Sequence, residues 1–144
     1  MQNFPHNYIA KAIGEPLGTI TTDSGQLEKL HIAVPKEFDG PGDKWSPEEL
    51  LIASVADCLI LTFRAIANAS KLEWTNLTCE ANGTLDRVDK INKFTEIHIK
   101  ASLQINSQSD KEKALRLLEM AEKNCLITNS LTAQTHLEAS IGFA

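Results

Sequence analysis

Residues 46–71 read SPEELLIASVADCLILTFRAIANASK, and this run sets the architecture of the chain. Ser46 is a favourable helix N-cap, and Pro47 suits the first helical position because an N–H group would have no helical partner there. Glu49, three residues after Ser46, can hydrogen-bond back to the Ser46 backbone and complete a capping box. The run therefore predicts a helix that begins at Pro47 and ends near residues 68–71.

The predicted helix is apolar on almost every side. Its polar side chains form one narrow seam, made by Ser54, Asp57, Arg64 and Asn68. A helix with this pattern is buried on most sides. About 23 residues at a rise of 1.5 Å span roughly 35 Å, which is wider than the core of a monomer of this size. We therefore expect a second copy of the chain to cover part of the helix.

The same helix is long enough to cross a bilayer, but Asp57 and Arg64 would be costly at membrane depth. The first residues of the chain lack the basic region and apolar run of a secretory signal. The sequence therefore predicts a cytoplasmic protein that makes no membrane contact.

Strands are predicted on both sides of the helix. Three precede it, at residues 8–13, 18–22 and 27–34, and a Gly-containing turn joins the last two. Two more follow it, because apolar and polar side chains alternate over residues 77–85 and 97–105. This alternation is typical of antiparallel strands with one buried face.

A second helix is predicted after Ser109, which forms another capping-box pattern with Glu112, and it ends near Asn124. One stripe of this helix is apolar: Ala114, Leu117, Leu118 and Ala121. A last strand alternates over residues 133–141. The order βββ-α-ββ-α-β predicts an α+β fold, with residues 1–144 in a single domain.

The composition excludes several classes of protein. The chain has 144 residues, 14 Lys and Arg against 19 Asp and Glu, and a net charge of −5. A pI near 5.3 argues against a nucleic-acid-binding protein, whose surface is normally basic. Hydrophobic residues at 42% and charged residues at 23% are ordinary for a globular protein and exclude a disordered chain.

Three cysteines, Cys58, Cys79 and Cys125, are the residues best able to carry chemistry. Their odd number and the absence of a C-x-x-C pair argue against a disulfide framework and a zinc ribbon. Four histidines are far apart in the sequence, so no metal site is predicted: His6, His31, His98 and His136.

Taken one by one, these residues allow two interpretations. Cys58 is either a small apolar side chain that fills the core or a reactive thiol. Cys125 closes the second helix, and a short helix after it could lower its pKa. Cys79 lies on the apolar face of a strand, which favours packing. Glu48, in the first turn of the long helix, complements the helix dipole.

Two motifs resemble a known family. Residues 46–58, SPEELLIASVADC, resemble the (N/S)-P-E-(E/Q)-L-…-A-x-C signature of the OsmC/Ohr family, the osmotically inducible and organic hydroperoxide resistance proteins. Residues 121–130, AEKNCLITNS, resemble the family's second motif, A-x-x-x-C-P-x-S. The resemblance covers essentially the whole chain and implies an OsmC-like fold, with an antiparallel sheet around the long helix in an intertwined homodimer.

The resemblance implies a two-cysteine thiol peroxidase that reduces organic hydroperoxides, and apolar surroundings of Cys58 would suit bulky ones. Cys58 would be the peroxidatic cysteine, and Cys125 the resolving cysteine that forms a disulfide with it. The reductant would be an external dithiol, of lipoyl type or another thiol, with no bound cofactor or metal. The family's glutamate maps onto Glu48, which is about 15 Å from Cys58 along a helix and would therefore come from the partner chain.

The sequence departs from the family's pattern at two places. The family's peroxidases carry an arginine on the N-terminal strands, and no arginine precedes Arg64 here. Lys11 or Lys29 could replace it, whereas Arg64 points away from Cys58 and is expected to pair with Asp57. Leu126 stands where the second motif has proline, which loosens the backbone beside the second cysteine.

Two other functions stay open on the sequence. The missing arginine favours a non-catalytic dimer that binds a small apolar ligand. Alternatively, the two cysteines could form a switch in a redox-sensing stress protein.

Overall fold

A computed structural model describes residues 1–144 and confirms the predicted order of strands and helices. The chain divides into two compact units, Met1–Leu51 and Ile52–Ala144. The assignment of the whole chain to one domain stays a prediction. The two units are described separately below.

The first unit contains the predicted β-meander, with strands shorter than the sequence pattern indicates. β1 (Lys11–Ile13), β2 (Ile20–Asp23) and β3 (Leu30–Ile32) pair antiparallel in that order. The third strand starts late because the chain turns through Gly25, at φ 63°, and the Leu27 N–H donates to the Ser24 carbonyl at 3.2 Å. A positive φ is readily adopted by glycine.

Helix α1 (Pro47–Ala69) has the predicted bounds, and its capping box is confirmed. The Ser46 N–H donates to Glu49 Oε2 at 3.0 Å, and the Glu49 N–H donates to Ser46 Oγ at 3.2 Å. Its buried side chains repeat every four residues along one face: Val55, Leu59, Phe63 and Ala67.

The rest of α1 is only partly covered within the single chain. Leu61, for example, is 57% exposed. The helix has the length and mean hydropathy, 2.0, of a membrane span, but its buried face packs in the protein core. Within the single chain, α1 is therefore buried on one face and not on most sides as expected. That a second copy of the chain covers the rest of α1 stays a prediction.

The second unit is built on a mixed three-stranded sheet. β4 (Trp74–Val88) and β5 (Ile91–Ile105) form a long antiparallel hairpin. The strands run further than predicted because the turn needs only two residues, Asp89 and Lys90, both with positive φ. Turns of this kind match the twist of the strands and let pairing continue to Val88 and Ile91.

β6 (Gln134–Phe143) pairs parallel to β5, from Glu96 opposite Gln134 to Ile105 opposite Phe143. The expectation of a purely antiparallel sheet is therefore wrong at this strand. The reason is the connection, since α2 (Lys111–Lys123) carries the chain back before β6 begins.

The predicted stripe of α2 is confirmed, and all four of its residues are buried: Ala114, Leu117, Leu118 and Ala121. The capping box predicted at Ser109 and Glu112 is wrong. A 3-10 turn, Gln108–Asp110, precedes the helix and places Asp110 at the N-cap, while Ser109 Oγ lies 2.8 Å from Ser107 Oγ. The short helix α3 (Leu126–Asn129) follows α2.

Candidate functional site

Cys58 and Cys125 face each other, although 67 positions separate them in the sequence. Cys58 is half-buried on α1, and Cys125 is 1% exposed at the start of α3. The two thiols interact, which lowers the pKa of Cys58 and raises that of Cys125. One helical turn after Cys58, the Thr62 hydroxyl oxygen lies 3.8 Å from its sulfur.

The surroundings of Cys58 favour its thiolate. Burial raises the pKa of this thiol, but hydrogen bonds from the Ile127 backbone N–H, the Cys125 thiol, the Thr62 hydroxyl and the Leu126 backbone N–H together hold its pKa below the ordinary value. Hydrogen bonds to a charged acceptor favour the charged form. Cys58 is therefore the more acidic partner of the pair.

The donors from α3 come from a local feature of the backbone. Cys125 is the N-cap of α3 in an extended conformation, with φ −68° and ψ 107°. The first N–H groups of a helix have no partner within it. Those of Leu126 and Ile127 lower the pKa of Cys58.

Leu126 contributes a donor that the family's proline lacks, because proline has no backbone N–H. The sequence indicated that this departure loosens the backbone beside Cys125. The structure instead holds the Cys125 carbonyl with two donors, the Asn129 N–H at 3.0 Å and the Thr128 hydroxyl at 3.2 Å. The departure from the motif therefore adds a donor to Cys58 with Cys125 held in place.

The pKa of Cys125 is shifted in the opposite direction to that of Cys58. Burial raises the pKa of the Cys125 thiol, and the neighbouring Cys58 sulfur raises it further. The short helix does act as predicted, since the N–H and hydroxyl groups of Thr128 in α3 lower the pKa of Cys125, but burial outweighs them and the net shift is upward. Cys58 is therefore the thiol of the pair that ionises more readily.

Cys79 behaves as a packing residue, as predicted. It is partly buried on β4 against the core. Burial, with smaller contributions from Cys125 and Asp57, raises its pKa to about 11. A thiol with so high a pKa is a poor nucleophile at neutral pH.

Glu48 lies at the second position of α1, ten residues before Cys58. Its Oε2 atom is buried and has no hydrogen-bond partner. Ten helical residues span about 15 Å, so Glu48 does not reach the Cys58 of its own helix. Neither Lys11 nor Lys29 forms an ion pair with it, because the two ion pairs of the chain join Asp43 to Lys44 and Glu96 to His98.

The expected pairing of Arg64 with Asp57 is wrong for the same reason. Arg64 instead lines a shallow surface depression with Leu61, Ala65, Asn68, Leu72 and Trp74. No arginine forms an ion pair with Glu48 within the single chain.

Glu48 lines an apolar groove of about 430 Å³ in the first unit. The other lining residues are mostly apolar and include Ile20, Ile32, Val34, Pro35, Phe38 and Pro47. This groove was not predicted from the sequence, because its residues come from three separate segments.

Sequence reasoning also missed Thr62 and the N–H groups of Leu126 and Ile127. Thr62 could have been found, because a residue four positions after Cys58 lies on the same face of a helix. The backbone donors could not, because they depend on where α3 starts.

The sequence profile of OsmC-like proteins matches residues 40–140. The chain belongs to the OsmC-like family. YmaD of Bacillus subtilis, an uncharacterised protein, is 32% identical over 126 residues, which cover 84% of this chain and 83% of YmaD. The peroxiredoxin OsmC of Escherichia coli is 25% identical over 121 residues, which cover 84% of this chain and 83% of that protein.

The fold agrees with this membership. The structure of an OsmC-like protein of unknown function from Vibrio cholerae superimposes with a TM-score of 0.86 at 17% identity, covering 94% of this chain and all of that chain. The shared α+β fold makes α1 the core helix of an OsmC-like protein rather than a membrane span.

Proposed function

We propose that this OsmC-like protein is a thiol peroxidase that reduces organic hydroperoxides. The observation that carries the proposal is the pairing of Cys58, whose pKa is lowered, with the protonated thiol of Cys125. A thiolate is the attacking species, and a neighbouring thiol is what a sulfenic acid needs to form a disulfide. The Escherichia coli relative, a peroxiredoxin, supports the same assignment.

The first step consumes one hydroperoxide. The Cys58 thiolate attacks the terminal oxygen of the O–O bond, which breaks and releases an alkoxide that takes a proton from solvent to leave as the alcohol. Cys58 becomes a sulfenic acid and has been oxidised by two electrons. The hydroperoxide has been reduced by the same two electrons.

The second step uses Cys125. Its sulfur attacks the Cys58 sulfenic acid, a disulfide forms, and the Cys125 proton leaves with the hydroxyl as water. An external dithiol, of lipoyl type or another class, then reduces the disulfide by thiol–disulfide exchange and becomes oxidised itself. The cycle requires no bound cofactor and no metal.

The proposal includes a homodimer, because α1 leaves a large apolar surface uncovered in one chain. Leu61 on that surface is 57% exposed. Antiparallel packing of two copies of α1 would bring Glu48 of one protomer toward Cys58 of its partner. The groove beside Glu48 is mostly apolar and suits the alkyl part of an organic hydroperoxide. We place the protein in the cytoplasm, where thiols stay reduced.

The test is steady-state turnover of tert-butyl hydroperoxide with dihydrolipoamide as reductant. The wild type and the control Cys79→Ala should turn over alike, since Cys79 packs in the core. Cys58→Ser should be inactive, and Cys125→Ser should lose multiple turnovers with a dithiol. Equal activity in wild type and Cys58→Ser would contradict the proposal.

The buried Glu48 oxygen favours a second candidate, a non-catalytic dimer that binds a small ligand. Glu48 Oε2 has no cation or donor beside it, whereas the family's peroxidases pair this glutamate with arginine. This candidate predicts that Cys58 survives excess hydroperoxide unoxidised. A redox sensor would instead form the disulfide once and not be reduced by dithiols.

A further inference from the structure

The outer face of the second unit carries a cluster of three groups that can bind a metal ion. Glu96, His98 and His136 each offer one ligand atom, and these atoms all lie within 4.8 Å of one another. His98 Nε2 lies 3.2 Å from Glu96 Oε2. The two imidazole rings stack with their centroids 4.5 Å apart and an interplanar angle of 16°. The cluster is independent of the cysteine pair.

The sheet topology creates this cluster. His98 on β5 is directly opposite His136 on β6, because the two strands are parallel and in this register. Glu96 precedes His98 by two residues, and side chains two apart on a strand share a face. All three side chains are exposed on the polar face of the sheet. The histidines lie 38 positions apart in the sequence, which is why sequence reasoning did not join them.

The ligand set is typical of a particular class of ion. Two imidazoles and a carboxylate bind Zn²⁺ in many proteins, and imidazole also suits Cu²⁺ and Ni²⁺. Two ligand atoms on a tetrahedral Zn²⁺ lie about 3.3 Å apart, given bond lengths of about 2.0–2.1 Å. The Glu96–His98 pair already has this spacing, at 3.2 Å. The lone pair of an imidazole lies in the ring plane, so His136 would have to turn out of its stack with His98 to bring in the third ligand.

The neighbouring side chains carry both signs of charge. Lys100 and Glu138 are opposite each other two residues further along β5 and β6. Glu80 on β4 pairs with Lys100, and Asn82 pairs with His98. One lysine therefore faces two further carboxylates beside the cluster, so the surrounding charge does not oppose a cation.

We propose that Glu96, His98 and His136 form a surface site for one divalent first-row transition-metal ion. Three protein ligands leave at least one coordination position open to water or a small anion, because tetrahedral Zn²⁺ takes four ligands. Such a site is expected to bind Cu²⁺ more tightly than Zn²⁺ or Ni²⁺.

The location of the site is tested in the wild-type protein with Ni²⁺, a paramagnetic ion that does not oxidise thiols. Imidazole proton resonances are recorded as Ni²⁺ is added below one equivalent. The resonances of His98 and His136 should broaden first, while those of His6 and His31 stay sharp. Equal broadening of all four histidines would overturn the proposal.

The affinity is tested with Zn²⁺ by calorimetry in a background where Cys58 and Cys125 are serine and Cys79 is alanine, so that no thiol competes. His98→Ala or His136→Ala should lower the Zn²⁺ affinity at least about tenfold. Mutating a residue that only hydrogen-bonds to a metal ligand already lowers metal affinity by about this factor. His31→Ala, an exposed strand histidine, is the matched control.

The calorimetric Zn²⁺ measurement has a fallback protein and a second readout, its pH dependence. If the cysteine-free background does not fold, wild-type protein with its thiols alkylated replaces it. Zn²⁺ affinity should fall as the pH drops below about 6, because imidazoles must be neutral to bind. Zn²⁺ affinities that are equal in wild type, His98→Ala and His136→Ala would overturn the proposal.

Discussion

The Cys58 and Cys125 thiols interact and have pKa values shifted in opposite directions, since burial raises that of Cys125 while hydrogen bonds lower that of Cys58. Cys58 on the long helix is therefore the more acidic of the two thiols. This asymmetry supports the proposed peroxidatic role of Cys58 and resolving role of Cys125. It arises without an arginine, from backbone N–H groups at the start of α3.

Leu126→Pro tests the contribution of one of these N–H groups. Proline suits the first position of α3, and the extended conformation of Cys125, φ −68° and ψ 107°, is the one that precedes proline. The substitution should keep the fold and remove one donor to the Cys58 thiolate. The Leu126 N–H is the smallest of the donors that lower the pKa of Cys58, so a loss of about 0.5 kcal/mol should make iodoacetamide alkylate Cys58 roughly twofold more slowly at pH 7.

Leu126→Ala is the matched control, because it shortens the side chain and keeps the N–H. Its alkylation rate should stay close to that of the wild type. Equal rates in Leu126→Pro and wild type would show that this donor does not stabilise the thiolate.

Thr62→Val removes the hydroxyl that lies 3.8 Å from the Cys58 sulfur and keeps the shape of the side chain. The hydroxyl lowers the pKa of Cys58 by more than the Leu126 N–H does. We expect the rate of Cys58 alkylation to fall by roughly threefold, as for the loss of a weak hydrogen bond. Thr62→Ser keeps the hydroxyl and should react like the wild type. If Cys58 were alkylated faster in Thr62→Val than in the wild type, the Thr62 hydroxyl would not stabilise the Cys58 thiolate.

The raised pKa of Cys79 predicts that the folded protein loses stability at alkaline pH. Its pKa is raised to about 11 in the folded protein, so the unfolded chain loses the proton first as the pH rises. The contribution of Cys79 to stability is complete below the ordinary thiol pKa and is lost as the pH rises through about 11. The free energy of unfolding, measured in urea, should therefore fall less for Cys79→Ala than for the wild type between pH 8 and pH 11.

The quantity compared is the difference in free energy of unfolding between wild type and Cys79→Ala at each pH, because lysines titrate in both proteins. An identical pH dependence in wild type and Cys79→Ala would contradict the raised pKa. The alanine variant should lose some stability at pH 7, since it leaves a small cavity against the core.

The capping box of α1 should contribute measurably to stability. Ser46→Ala removes the acceptor of the Glu49 N–H and should lower the free energy of unfolding by about 1 kcal/mol. Glu49→Gln keeps an oxygen that can accept from the Ser46 N–H and should cost less. Chemical unfolding monitored by circular dichroism measures both. Ser46→Ala as stable as the wild type would show that the cap is not needed in the folded protein.

Local signals predicted much of this fold. The Ser46–Glu49 pattern placed the start of α1 correctly, because a capping box depends only on residues close in sequence. The buried stripe of α2 also followed from spacing alone. The direction of β6 did not, since it depends on how α2 returns the chain.

The candidate site shows the same division. The resemblance pointed to Cys58 and Cys125, but their contact and their different pKa values depend on the tertiary fold. The sequence pattern treated Leu126 as a defect beside Cys125. In the structure its N–H instead helps to lower the pKa of Cys58, an effect that depends on the position of α3 against α1.

The central claim is that hydroperoxide oxidises Cys58 and that Cys125 resolves it. The most direct measurement adds one equivalent of tert-butyl hydroperoxide to the reduced protein, followed by intact mass and peptide mapping. We expect the loss of two hydrogens, a Cys58–Cys125 cross-link, and no cross-link in Cys58→Ser. Unreacted protein, or sulfinic acid at Cys58 with Cys125 still a free thiol, would contradict it.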